Sequence, residues 1–167
     1  MAEEAAKAGD LSTAAQAYGQ ILQEEPQNPA ALGGLARCYV ASGDVERAKQ
    51  TLALVPLEHQ NHEAVSGVQA QLKLAELASK AGDSNALRAK VQADANDHQA
   101  RMDLAASLAA RGENETAIAE LLDSIRRDRN WNEAAARKQL LTLFEALGAA
   151  DPAVQSGRRR LSSILFS

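Results

Sequence analysis

The sequence predicts an all-α protein built from many thin helices packed in series. Three observations carry that expectation. Of the 167 residues, 46% are hydrophobic but only 3% are aromatic, and alanine fills the gap with 36 residues. Alanine has the highest helix propensity, whereas aromatic and β-branched residues favour strands, which argues against a β-sandwich or barrel. Each alanine buries little area, so alanine-rich helices must approach closely, and this favours stacked helices over one thick core. Finally, Gly9, Gly43, Gly82, Gly112 and Gly148 recur in similar contexts, at spacings of 34, 39, 30 and 36 residues.

Those contexts read AGDLSTA, SGDVERA, AGDSNAL, RGENETA and LGAADPA. Glycine ends a helix in the left-handed conformation at low steric cost. The polar residue after it can cap the next helix. Ala14, Ala48, Ala117 and Ala153 stand five positions after four of the glycines, and Leu87 after the fifth. A small residue there lets the second helix approach the first. The spacing predicts helices over about 2–8, 11–24, 29–42, 45–54, 63–81, 84–94, 97–111, 114–128, 131–147 and 151–165.

Taken in order, Gly9, Ala14, Tyr18 and Pro26 mark the first helix pair, which proline closes. Leu32, Leu35, Ala36, Tyr39, Gly43, Ala48 and Leu52 repeat the register one period later. The segment 65–81 is apolar on two faces, as for a helix between neighbours. Leu104, Ala105, Leu108, Gly112, Ala117 and Leu121 form the fourth unit. Ile118, Leu121, Leu122 and Ile125 make one apolar stripe there, and Leu140, Leu143, Phe144 and Leu147 make another in the fifth. A helix-turn-helix unit of about 34 residues is the tetratricopeptide period. The expected fold is therefore an all-α, tetratricopeptide-repeat helical solenoid of about ten helices. It is a single array over 1–167, with units near 1–28, 29–62, 63–96, 97–130 and 131–150 and a C-terminal helix over 151–167. Gly9 follows only eight residues, so the first helix is half its expected length. A stacked repeat needs a complete or capped end, which predicts preceding sequence.

Composition narrows the function classes. The formal net charge of −4 gives no global attraction to nucleic acid or an anionic membrane. No apolar run reaches a membrane span, and the acidic N-terminus lacks the features of a signal peptide. Cys38 is the sole cysteine, which fits a cytoplasmic setting. Residues 1–63 carry a balance of −5 and residues 64–167 a balance of +1, an acidic front and a basic tail.

The C-terminal third resembles a known family through LLDSIRRD, the aromatic start at Trp131, ARKQLLTLFEALG and a last helix ending in RRRLSSILF. A VPLEHQ link, then a long and a short helix, fits as well. The chain looks like the tetratricopeptide tail of the chaperedoxins, bacterial thioredoxin-like co-chaperones, without the thioredoxin domain. The resemblance implies a cytoplasmic holding chaperone. Its implied partners are unfolded client proteins, the ring chaperonin (reached through the C-terminal helix) and an upstream thioredoxin-like domain. Cys38 lies in a repeat helix and does not inherit the role of that domain's cysteines.

Candidate residues follow. Arg158, Arg159 and Arg160 are the densest charge run, on a helix with Asp151 as cap and Pro152 at its first position. Two readings stand: a solvated basic helix, or a docking helix on which these arginines with Leu161, Leu165 and Phe166 meet a partner. With no aromatics interleaved, a nucleic-acid surface is disfavoured. Gly33, Gly34 and Arg37, then Met102, Asp103 and Ala106, occupy inner positions and provide no carboxylate clamp. His59 and His62 lack a third metal ligand, and no serine has a catalytic base pattern beside it. No phosphate loop occurs. Trp131 reads as a packing anchor. No catalytic residue, metal or cofactor is expected, and the alternative function is a structural scaffold for another complex.

Overall fold

A computed structural model describes residues 1–167. It contains ten α-helices, one 3-10 turn and no strands. The helices are α1 (Ala2–Lys7), α2 (Leu11–Glu24), α3 (Pro29–Ala41), α4 (Val45–Ala53), α5 (Glu63–Ala81), α6 (Ser84–Ala93), α7 (His98–Ala110), α8 (Asn114–Arg127), α9 (Trp131–Leu147) and α10 (Pro152–Phe166). The 3-10 turn, Leu57–His59, follows α4. These bounds agree with the expected helices to within two residues, and the fold class is the tetratricopeptide-type helical solenoid.

The agreement has a local cause. The recurring glycines all adopt φ between 77° and 89°. At Gly43, for example, the left-handed turn lets the Asp44 amide reach back to the Tyr39 carbonyl at 2.8 Å. The residue after the glycine then starts the next helix. Asp10, Asp44 and Asp83 each accept a bond from the backbone amide three residues on, at Thr13, Arg47 and Ala86. The fourth, Glu113, makes no such bond, because its longer side chain pairs with Arg88 and Arg111.

The chain divides into two compact units, Met1–Leu72 and Lys73–Ser167. In the first, α1 packs on α2, α2 on α3 and α3 on α4. Its core is Leu32, Ala36, Ala48, Leu52, Val55, Val65 and Val68. A Cβ at Gly33 would collide with the Ala64 backbone carbonyl, so the start of α5 lies directly on α3. In the second unit α8 is central and packs against α7, α9 and α10. Ile118, Leu121, Leu122 and Ile125 are fully buried there with Leu104, Leu108, Leu140, Leu143 and Phe144.

One element departs from expectation. The first turn of α9 is left-handed: Asn132, Glu133 and Ala134 have φ of 47°, 57° and 58°. The regular helix begins only at Ala135. Gly112 and Gly148 are 36 residues apart, against 34 for Gly9 and Gly43. The left-handed turn takes up that excess, so the remaining α9 is as long as α3 and α7.

Candidate partner-docking surface

The C-terminal helix is pinned on one side and open on the other. Asp151 accepts a bond from the Ala153 amide at 2.8 Å and starts α10, with Pro152 in the first turn, where its missing N–H costs nothing. Val154, Gly157 and Leu161 are buried. Gly157 sits so close that a Cβ would lie 2.7 Å from Phe144 Cε1 and 3.0 Å from Ile118 Cγ2. Leu161 thus holds the helix down and faces the core instead of a partner. Leu165 is half-buried, packed against the same core.

The arginine triplet divides by helical geometry. The Arg158 guanidinium lies 5.9 Å from the centroid of the Phe144 ring. Arg159 is exposed and makes no ion pair. Arg160 faces the end of α8, where it lines a cleft of about 320 Å³ with Arg126, Arg129, Ser163, Ile164 and Ser167. Beyond the cleft, Phe166 is 86% exposed. Arg126 and Arg129 were not among the expected site residues; the signal for them is the basic run RRDR at 126–129, which closes α8.

Beneath this surface lies a dense polar network. Arg101 is buried, with its Nε donating to the Ala95 carbonyl at 2.9 Å and its Nη atoms paired with Glu120 and Asp123. Asp123 also takes Arg126 at 3.4 Å and Arg127 at 3.3 Å. Trp131 is the expected packing anchor in kind: its ring centroid is 5.3 Å from that of His98, whose Nδ1 lies 2.8 Å from Ser124 Oγ.

The first unit holds a second concavity, of about 200 Å³, walled by α1, α2 and α3. Ala6, Leu11, Tyr18, Gly34 and Cys38 line it, with Lys7 and Arg37 at its edges. Burial pushes both the Tyr18 phenol and the Cys38 thiol above their ordinary pKa values. A raised thiol pKa means little thiolate, so Cys38 acts as a small apolar side chain. Arg37 and Gly34 both line this concavity, and Gly34 is buried against the Tyr18 ring. No group of three or more His, Cys, Asp or Glu is placed to hold a metal ion. No helix is long and apolar enough to cross a membrane.

Family models agree with this architecture. Two tetratricopeptide repeat families match, one over residues 77–166 and one over residues 5–72. An uncharacterized protein of Haemophilus influenzae is 30% identical over 134 residues, which cover 78% of this chain. The chain spans 59% of that relative's length. Among solved structures, a domain of protein VP0806 (unknown function) from Vibrio parahaemolyticus is 22% identical, with a TM-score of 0.49. That likeness covers 99% of this chain and 96% of the other. By its recurring glycine turns, its helix pairs and these family matches, the chain belongs to the tetratricopeptide repeat family, whose members serve as protein–protein interaction modules.

Proposed function

We propose that the chain is the protein-binding tail of a bacterial thioredoxin-like holding chaperone, which holds segments of unfolding clients and docks on the ring chaperonin through α10. Family membership supports the coarser part of this reading, a module that acts by binding and not by chemistry of its own. On this reading the gene encodes a thioredoxin-like domain ahead of the repeats, and a different upstream region counts against it.

The observation that carries the docking part is the asymmetry of α10. Its inner stripe is buried, while its end presents Phe166 at 86% exposure and Arg159, two turns earlier on the same face, makes no ion pair. Aromatic and arginine side chains dominate interface hot spots. An exposed phenylalanine adds little to the stability of the fold, so its position is free to serve contact with a partner.

The test is capture of purified ring chaperonin by the immobilised chain, native against Phe166→Ala. A loss of about tenfold or more in affinity is expected, the size of a hot-spot truncation. No capture by either defeats docking, and equal capture by both removes Phe166 from the contact. Removing all of 151–167 is the wrong variant, because it strips the cover from Phe144 and Ile118. For holding, light scattering of an unfolding client falls when the chain is added. Unchanged scattering together with no capture leaves the structural scaffold as the standing function.

A further inference from the structure

The cleft between the end of α8 and α10 gathers three guanidinium groups, from Arg126, Arg129 and Arg160, and two hydroxyls, from Ser163 and Ser167. No Asp or Glu side chain lines it. Part of this charge has a structural purpose. Arg129 Nη1 donates to the Leu165 carbonyl at 3.3 Å, the favourable place for a cation at a helix C-terminus. Arg126 reaches only Asp123, which already serves Arg101 and Arg127. Glu120 also pairs with Arg101, so two carboxylates face three arginines and one positive charge is left over. Arg160 stands six residues before the end of α10, outside the last turn where the helix dipole acts, and forms no ion pair. Nothing in the fold accounts for its charge at that position.

We propose that this cleft is a carboxylate-binding site that receives an acidic segment of a partner protein. The guanidinium fork matches a carboxylate in two-point geometry, and three forks around one cleft suit more than one acidic side chain. Ser163 adds a hydroxyl donor, while the Ser167 hydroxyl already donates to the Ile164 carbonyl at 3.3 Å, and Ile164 supplies an apolar contact. A nucleic acid is the poorer occupant. No ring lines the cleft to stack a base, and the chain carries a net charge of −4. This deepens the reading of α10 as a docking helix and rests on it only for the choice of a protein partner.

The experiment uses the full chain and a labelled short oligoglutamate peptide, with binding read by fluorescence anisotropy. Arg160→Glu is expected to weaken binding about tenfold, as for loss of a charge-assisted contact with reversal of its sign. Arg137→Glu, the same charge change at an exposed, unpaired arginine outside the cleft, is expected to alter it less than about twofold. Raised salt weakens the native chain more than the Arg160→Glu chain. No binding of oligoglutamate overturns the proposal, as do equal losses in the two variants, which show diffuse charge and no site. An oligothymidylate of equal charge that binds as tightly, with the same dependence on Arg160, also overturns it by making the cleft a general polyanion site. The two readings fail separately. Oligoglutamate binding without chaperonin capture leaves the cleft and removes the chaperonin. Capture that depends on Phe166 but not on Arg160 does the reverse.

Discussion

At the scale of single residues, close approach separates glycines that look alike in sequence. Gly19 and Gly157 both lie inside helices, but a Cβ at Gly19 meets nothing within 4 Å, whereas one at Gly157 meets Phe144 and Ile118 at 2.7 to 3.0 Å. Alanine gains about 0.5–1 kcal/mol over glycine in a helix interior, and overpacking a core costs about 1–3 kcal/mol. Gly19→Ala is therefore expected to raise the urea midpoint and Gly157→Ala to lower it. A Gly157→Ala chain as stable as the native one would mean that α10 is not seated as described. The arginines show the limit of reading residues along the chain. Arg158, Arg159 and Arg160 form one run in sequence, yet 100° of helical rotation per residue sends one over Phe144, one outward and one into the cleft. The partners of Arg160, Arg126 and Arg129, are distant in sequence, so their convergence depends on how α8 and α10 pack and could not be read from spacing.

At the scale of elements, most helix ends were legible because they rest on local chemistry, a glycine turn followed by an aspartate cap. Asp10 carries a consequence for pH. Bonds from Thr13, through its side chain and then its backbone amide, hold the Asp10 carboxyl below its ordinary value of 3.8. A carboxyl lowered in the folded state contributes stability that is present above its unfolded pKa and lost as pH falls through the folded one. The α2 cap is thus expected to weaken only below the ordinary carboxylate range. An Asp10 carboxyl that titrates by NMR at or above its ordinary value contradicts this. The start of α9 was not legible. WNEAAA contains no glycine, so helix propensity extends the helix to Trp131. The left-handed turn at Asn132–Ala134 opposes that propensity at about 1–2 kcal/mol per residue. Ala134→Gly is expected to raise the melting temperature by relieving this strain, while Ala135→Gly, in the right-handed part, is expected to lower it. The opposite order would mean a right-handed turn from Trp131 onward.

At the scale of the whole molecule, the repeat register conceals an imbalance between the units. Of the twelve largest fully buried side chains, nine lie in Lys73–Ser167 and only Leu32, Val65 and Val68 lie in Met1–Leu72. Fully burying one such side chain is worth about 1.5–3 kcal/mol, and the second unit buries more of them per residue, nine over 95 residues against three over 72. Alanine stands at the matching positions of both units, Ala36 and Ala48 in one and Ala105 and Ala117 in the other. The second unit differs by adding branched chains such as Ile118 and Ile125 beside Phe144, where the register of the first has Lys49 and Pro56. Stability in repeat proteins is summed locally, so the units need not unfold together. Trp131, the one tryptophan, reports only the second unit. In urea its fluorescence transition is expected at a higher concentration than the loss of hydrogen-exchange protection in α3 and α4. Amides of α7 and α8 should remain protected to the later transition. Coincident transitions with equal protection in both units would show that packing in series equalises them despite their unequal cores.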